Sequence, residues 1–226
     1  MRQVDIRFQD EELEKDIEDM MKMAYPRGVL RLMNIKQQKD IRQFLEDEFT
    51  SDTAGQIYKK QEDLLMTMLE AVKNESKSRY KTLKQTILPR IALYKVLGEY
   101  TTDKEKIKLI HRYMIDIVAS KKHASTAGME IFPGFFYIYR AAFLKIMRTT
   151  TLQQSTQAKG EGYYDITITK CLWHDACVKF ECPELCALFC DVDDVTYGGL
   201  RKIGFSRSKT LGYGGDCCDF HFYSKK

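Results

Sequence analysis

The seven cysteines of this chain all lie between Cys171 and Cys218, and the first 170 residues contain none. His174, His221 and the only tryptophan, Trp173, lie in or just beyond the same stretch. Because an odd number of cysteines argues against a closed set of disulfides, a hydrophobic core has to stabilise these 226 residues. Thiols, imidazoles and carboxylates bind metals or perform nucleophilic and acid/base chemistry. We therefore expect the functional site in the last third of the chain.

Composition and charge exclude several classes of protein. The 36 basic and 32 acidic residues are dispersed, whereas a protein that binds nucleic acid usually carries a clustered basic stripe. No apolar run is long enough to span a membrane, and the first residues lack the apolar centre of a signal peptide. We therefore expect a cytoplasmic protein with reduced thiols, and neither nucleic acid nor a membrane as partner.

The first 150 residues carry apolar side chains at the spacing of amphipathic helices. The predicted helices span 11–24, 55–74, 78–97, a segment capped by Thr102 and Asp103, and 133–147. Pro89 lies inside the third of these, so we expect that helix to kink or to split in two. The buried face of the capped helix is predicted to contain Ile107, Ile110, Met114 and Ile117.

Composition changes after residue 149, where serine, threonine, glutamine and glycine dominate. We interpret 151–162 as a linker or exposed loop between a helical region, 1–150, and a cysteine-rich catalytic unit, 163–226. That unit is predicted to contain strands over 165–173, 205–209 and 217–223, and a helix that starts at Pro183. The fold class is α+β: a helical N-terminal region packed on a small C-terminal antiparallel sheet with a cysteine-bearing helix. We expect one shared core, with the helix over 131–148 packed on the sheet.

The cysteine-bearing helix carries the strongest candidate site. Cys186, Cys190 and Asp193 lie at i, i+4 and i+7, so their side chains share one face. Free cysteine is often a small buried hydrophobe, which is our interpretation of Cys186. Cys190 differs because three acids, Asp191, Asp193 and Asp194, follow it within four positions.

Two other residues of the C-terminal unit are further candidates. Cys218 shares a strand face with Phe220 and Phe222, which places it toward the core. His174 follows the end of a predicted strand, and a structural role is as plausible for it as a catalytic one.

Metal-binding and anion-binding alternatives have weaker patterns. Cys171, His174 and Cys177 are spaced as Cys-x2-His-x2-Cys, with Cys182 nearby, but no paired CxxC layout is present. We expect no metal and no cofactor. The Gly-rich segment 212–215 lacks the lysine and the strand-loop-helix context of a phosphate loop, so we interpret it as a turn. Its amides could still face an anion.

Three segments carry a family resemblance. They read CLWHDACVKFECPELCALFCDVDD at 171–194, GFSRSKTLGYGGDCCDFHF at 204–222 and LPRIALYKVL at 88–97. In this combination they resemble the L-2-amino-thiazoline-4-carboxylic acid hydrolase family. The resemblance implies hydrolytic opening of a 2-amino-thiazoline ring that bears a carboxylate, giving a carbamoyl-cysteine.

Residue roles follow from this resemblance as expectations. A cysteine thiolate could attack the amidine-like carbon, or a carboxylate could activate water. The expected catalytic residues are Cys190, Asp193, His174 and Cys218. The expected substrate-binding residues are Arg207, Thr210 and Asp191, with Arg207 holding the substrate carboxylate in a forked pair. The partner is a small-molecule carboxylate, and a homo-oligomer is an open alternative.

A second function from a different class remains open. Small α+β units with several cysteines and a Gly-turn before the last strand also resemble the 4-vinyl reductase-type ligand-binding domain. In that alternative the chain is a non-catalytic sensor module for a small molecule or a metal.

Overall fold

The computed structural model describes residues 35–149 and 151–225. The helix predicted over 11–24 lies outside the described residues. The helices are α1 (Lys36–Glu48), α2 (Ser51–Ala71), α3 (Lys77–Thr82), α4 (Leu88–Tyr100), α5 (Asp103–Arg112), α6 (Ser120–Gly128), α7 (Phe135–Thr149), α8 (Leu172–Lys179) and α9 (Leu185–Tyr197). The strands are β1 (Gln153–Lys159), β2 (Tyr163–Cys171), β3 (Ile203–Ser206) and β4 (Cys218–Ser224). They form one antiparallel sheet in the order β1-β2-β4-β3, so the predicted α+β fold class is confirmed.

Pro89 neither splits the helix nor ends it. A π-helical turn, Leu83–Ile87, joins α3 to α4 immediately before the proline. Since proline has no N–H to donate to the carbonyl four residues earlier, the carbonyl of Gln85 needs another donor. Gln37 Nε2 supplies it, at 2.6 Å from Gln85 O and 3.2 Å from Thr86 O. The wide turn therefore depends on a side chain of α1.

A second π-helical turn, Tyr113–Ala119, joins α5 to α6 and changes the buried face of that helix. Thr102 caps α5 as predicted, accepting a hydrogen bond from the Glu105 N–H. Ile110 and Met114 are fully buried as expected, but Ile107 is 53% exposed, so its placement in the core was wrong. Ile107 precedes the π-helical turn, and the buried stripe of α5 begins only at Leu109 and Ile110, so the apolar spacing placed the start of the core too early in this helix.

The segment interpreted as a linker or loop, 151–162, instead contains β1, so the sheet has four strands rather than three. β1 is an edge strand whose residues pair with β2, with Thr156 opposite Thr167 and Gln157 opposite Ile166. An edge strand gains its stability from main-chain pairing and often carries polar side chains, which prevent further pairing. Low apolar content therefore did not exclude a strand.

The strand predicted over 165–173 ends two residues early, and α8 starts at Leu172. Cys171 keeps extended dihedral angles at the N-cap position, and Asp175 lies in the first turn, where a carboxylate is stabilised by the helix dipole. Trp173 and His174 consequently lie on the first turn of a helix rather than on alternate faces of a strand.

Two clusters of buried side chains form the core. The first joins α1–α5 and the two π-helical turns to the inner residues of α8 and α9, including Leu172, Cys177 and Phe189. The second joins α7 to the sheet, with the Phe143 ring 5.4 Å from that of Phe222 and the Phe136 ring 5.8 Å from that of Tyr164. The prediction that the helix over 131–148 packs on the sheet is confirmed. Independent folding of 163–226 stays a prediction.

Candidate active site

A cavity of about 220 Å³ lies between α9, α7 and the sheet face that carries Ile168 and Phe220. Its titratable wall residues include Arg90, Lys122, His174, Cys190, Asp193 and Cys218. Aromatic side chains cover much of the remaining wall: Phe143, Trp173, Phe189, Tyr197 and Phe220. Such a mainly apolar cavity with a few polar groups is typical of a small-molecule site.

The structure brings four of the seven candidate residues onto this wall. They are Cys190, Asp193, His174 and Cys218. Arg207, Thr210 and Asp191 do not line the cavity and instead contact residues beside or behind Cys190. The first group comes from α8, α9 and β4, and the second from α9 and the loop between β3 and β4.

Helix α9 places Cys190 and Asp193 because its other face is buried. Leu185, Phe189 and Val192 pack into the first core cluster, which leaves the neighbouring stripe facing the cavity. The loop after β3 lies directly on this stripe. A Cβ at Gly212 would be 2.8 Å from Cys190 Sγ and 2.9 Å from the Cys186 carbonyl, so only glycine fits.

Cys190 has a concentration of hydrogen-bond donors around its sulfur. The thiols of Cys186 and Cys218 and the hydroxyl of Thr210 donate to it, and together with the charge of Arg207 they lower the pKa of the Cys190 thiol against the opposing effect of burial. These surroundings favour the thiolate of Cys190, which is the nucleophilic form.

The neighbouring thiols are shifted in the opposite direction. Donation to Cys190 and burial raise the pKa of Cys218, whose sulfur also accepts a hydrogen bond from the Leu211 N–H at 3.3 Å. Burial raises the pKa of Cys171 to about 11. All seven cysteines are free thiols. Among the cysteines on the wall, the electrostatics therefore distinguish Cys190 from Cys171, Cys186 and Cys218, whose pKa values are all raised.

Asp193 lies one turn beyond Cys190. Burial raises the pKa of its carboxyl to about 6; Cys190 and Asp194 add to the shift, while Lys122 and Arg207 oppose it. A carboxyl with this pKa can accept and release a proton near neutral pH. The largest cause of this shift is the removal of the carboxyl from water.

Arg207 follows β3, and its side chain is only 8% exposed. Its Nη2 donates to Asp194 Oδ2 at 2.5 Å, while its Nη1 is buried with no partner among the described residues. The guanidinium therefore faces α9 and contributes positive charge beside Cys190.

The other two expected binding residues have local partners. Asp191 accepts the hydroxyl hydrogen bond of Tyr213 at 2.8 Å, and Tyr213 is itself 64% exposed. Thr210 is buried, caps the short 3-10 turn Leu211–Tyr213 by accepting from the Tyr213 N–H, and donates to Cys190. The Gly-rich segment is thus a turn, as predicted, with Gly214 at φ 78°.

His174 is half-buried on the first turn of α8, and its Nδ1 lies 4.0 Å from Asp175 Oδ1. Its place on the cavity wall gives it access to a bound molecule. Among the residues described, no three His, Cys, Asp or Glu side chains are arranged to hold a metal ion. Over the same part of the chain, no helix is long and apolar enough to cross a membrane.

Sequence reasoning missed two cations on the wall, Arg90 and Lys122. Arg90 is only 4% exposed and lies in the run LPRIALYKVL, on the same stripe as Ile87, Ile91 and Tyr94. A charged residue on the buried stripe of a helix was the available signal, since burial of an unpaired charge is costly. Lys122 lies in a polar stretch and gave no such signal.

A comparison with known proteins covers most of the chain, including the residues that form this site. A family model described as L-2-amino-thiazoline-4-carboxylic acid hydrolase matches residues 79–222, which include every candidate residue and both missed cations. Searches of curated proteins and of solved structures found no match. The family match favours an enzyme with a small-molecule substrate over a non-catalytic sensor. Since the match spans well over half of the chain, the protein belongs to the L-2-amino-thiazoline-4-carboxylic acid hydrolase family, a family of hydrolases.

Proposed function

We propose that this protein hydrolyses a small ring with a C=N bond, similar to 2-amino-thiazoline-4-carboxylate, and gives a carbamoyl-cysteine-type product. The observation that carries the proposal is Cys190, a wall residue whose thiol pKa is lowered by three donors. Family membership supplies the reaction class, and the site supplies a nucleophile and a proton carrier one helical turn apart.

In the first step the Cys190 thiolate attacks the amidine-like carbon between the ring sulfur and the ring nitrogen. The electrons of the C=N bond move to the ring nitrogen, which takes a proton. Asp193 in its acid form is suited to donate that proton, because burial holds its pKa at about 6. A bond forms to Cys190 without a change in oxidation state.

In the second step the bond between this carbon and the ring sulfur breaks. The ring sulfur leaves as a thiolate and takes a proton, for which His174 is placed on the wall. The opened substrate stays attached to Cys190 as an isothiourea with the mass of the whole substrate. Covalent catalysis of this kind divides one difficult displacement into two easier ones.

In the third step water replaces Cys190. The Asp193 carboxylate takes a proton from water, whose oxygen attacks the same carbon, and the bond to the Cys190 sulfur breaks. The carbamoyl product leaves and the thiolate is restored, so one water is consumed in each turnover. Cys218 and Thr210 stabilise the departing sulfur by donating to it.

The remaining assignments also belong to this proposal. Arg207 keeps positive charge beside Cys190, and Asp191 orders the loop over it through Tyr213. Binding of the substrate carboxylate by Arg207 stays a prediction. Reduced thiols need a reducing compartment, which supports a cytoplasmic location. A homo-oligomer stays a prediction as well.

Cys190→Ser tests the nucleophile. We expect turnover of 2-amino-thiazoline-4-carboxylate to fall by roughly 10³-fold or more, with a nearly unchanged melting temperature, because the exchange is isosteric and the residue is part-exposed. Cys171→Ser is the matched control, since it changes a wall cysteine whose raised pKa keeps it protonated. Full activity in Cys190→Ser would transfer the assignment to Cys218 or to water activated by Asp193.

A further inference from the structure

Arg90 and Lys122 bring two positive charges to the cavity wall. No carboxylate forms an ion pair with either side chain within the part of the chain that the structure describes. The third cation near the site, Arg207, already donates to Asp194. Among the described residues that line the cavity, Asp193 is the one carboxylate, and it interacts with both cations at longer range.

The guanidinium of Arg90 is buried and held in position by two contacts. Its Nε donates to Gln37 Oε1 at 2.9 Å, and its guanidinium lies 5.4 Å above the centroid of the Phe189 ring. Gln37 is the residue that also donates to the carbonyls of the π-helical turn before Pro89. The same side chain thus stabilises the wide turn and orients the guanidinium. π-helical turns are often found at functional sites.

Lys122 reaches the cavity from the first turn of α6, just after the second π-helical turn. Lys122 is an exposed residue, but it lines the cavity, where neighbouring protein partly desolvates its ammonium group. Desolvation lowers the pKa of Lys122, and the charge of Arg90 lowers it further, while Asp193 opposes both. Two partly desolvated cations that face one cavity favour an anion between them.

The rest of the wall restricts what else the anion can carry. Phe143, Trp173 and Phe220 offer flat apolar surfaces, and Cys190 lies on the α9 side. A ligand that suits all of these groups has one carboxylate and a small, flat body with few charges.

We propose that Arg90 and Lys122 together bind the carboxylate of the substrate, so that the ring carbon is held against Cys190. This assignment rests on the proposed function for the identity of the substrate, and it gives the carboxylate a different partner from Arg207. The substrate class it defines is a small planar ring with a single carboxylate. A neutral carboxamide of the same ring lacks the charge that the two cations recognise.

Two variants separate fork geometry from charge. Arg90→Lys keeps the charge but loses the forked geometry, and Lys122→Met removes the charge at similar length. We expect each to raise KM for 2-amino-thiazoline-4-carboxylate by roughly tenfold, about 1.4 kcal/mol, with a smaller change in kcat. KM for the carboxamide analogue should change less than twofold. Lys121 is the neighbour of Lys122 on α6 and pairs with Asp40 of α1 at the surface, so Lys121→Met should leave both constants unchanged.

Binding of N-carbamoyl-cysteine, followed by calorimetry, tests the anchor without turnover. We expect a weakening of roughly tenfold in Lys122→Met, whose partly exposed position makes misfolding unimportant, and in Arg90→Lys if its melting temperature is retained. If binding depends on these residues but the wild-type protein turns nothing over, the anchor stands and the reaction is wrong. Wild-type affinity in Lys122→Met, or a loss confined to Arg207→Lys, would overturn the anchor.

Discussion

Titratable side chains lie on both sides of the sheet, in very different surroundings. The inner face turns Ile168, Cys218 and Phe220 toward the cavity. The outer face pairs His221 with Asp165, whose Nδ1 and Oδ1 atoms lie 2.6 Å apart, and both side chains are more than 40% exposed. Judged by residue type alone, an Asp–His pair at hydrogen-bonding distance is the more familiar catalytic arrangement.

The surroundings rather than the residue types separate the two faces. On the inner side, burial holds the pKa of Asp193 at about 6 and neighbouring donors stabilise the Cys190 thiolate. On the outer side, water screens the Asp165–His221 pair, and exposed ion pairs of this kind contribute roughly 0–1 kcal/mol. Chemistry is therefore expected where a protein cavity replaces water around charged groups.

Asp193→Asn should produce the largest change in activity among the substitutions that test the comparison between the two sides of the sheet. The amide cannot exchange protons, so we expect kcat to fall by roughly 10²-fold or more. In the wild-type enzyme kcat should decline as pH drops through about 6, because the carboxylate that accepts the proton of water becomes protonated. The variant should lack this decline. Wild-type kcat in Asp193→Asn would remove the carboxylate from the mechanism.

Asp193→Asn should also change how stability depends on pH. The pKa of Asp193 is raised from 3.8 to about 6 in the folded protein, so the unfolded chain loses its proton first. This contribution to the free energy of unfolding consequently decreases as pH rises from about 4 to 6. Asp193→Asn should therefore gain melting temperature relative to the wild type across that range. A constant difference between the two proteins would show that the carboxyl is not perturbed.

Cys218→Ala should produce the next largest change, since it removes one of three donors to Cys190. A hydrogen bond to a charged group contributes about 1.5–3 kcal/mol, so the pKa of the Cys190 thiol should rise by about one to two units. The rate of alkylation by iodoacetamide as a function of pH measures this. Cys171→Ala is the control, and an equal shift there would mean that donation by Cys218 is unimportant.

Gly212→Ala should affect stability more than chemistry. The new Cβ would contact the Cys190 sulfur and the backbone of Cys186, which a helix cannot easily move, so we expect a loss of about 1–3 kcal/mol in unfolding free energy. Gly55→Ala on α2 has nothing within 4 Å and should be neutral or stabilising by up to about 1 kcal/mol. Chemical denaturation compares them, and equal stability of the two variants would contradict the close approach.

His221→Ala should have the smallest effect. We expect kcat/KM within about twofold of the wild type and a stability change below about 1 kcal/mol, because the imidazole belongs to the exposed face. A loss of activity comparable to that of Asp193→Asn would reverse the comparison between the two faces.

Local patterns anticipated much of the fold. The α9 stripe, the buried face of β4 and the N-cap at Thr102 follow from spacing and capping chemistry, and each lies where it was predicted. β1 was missed because an edge strand depends on main-chain pairing with β2, which no residue pattern records. The register change after Tyr113 depends on a π-helical turn, and the 3.6-residue spacing rule does not predict such turns.

In the candidate site, too, the residues that local spacing relates were predicted, and the residues that only tertiary packing brings together were missed. Cys190 and Asp193 were found because both belong to one helix, where a spacing in sequence fixes a spacing in space. Arg90 and Lys122 come from α4 and α6, far from the cysteines in sequence, and only tertiary packing brings them to the cavity. The roles expected for Arg207 and Asp191 depended on which neighbour each would meet, and those neighbours are Asp194 and Tyr213.

The most direct test is the mass of Asp193→Asn protein that is quenched in acid during reaction with 2-amino-thiazoline-4-carboxylate. Hydrolysis of the isothiourea needs the Asp193 carboxylate to activate water, whereas the ring nitrogen can take its first proton from solvent in place of Asp193. The isothiourea on Cys190 should therefore accumulate, and its bond to the sulfur is stable in acid. The account predicts added mass equal to that of the whole substrate, located on the peptide that contains Cys190. An adduct on Cys218, or continued turnover with no adduct on any cysteine, would contradict it.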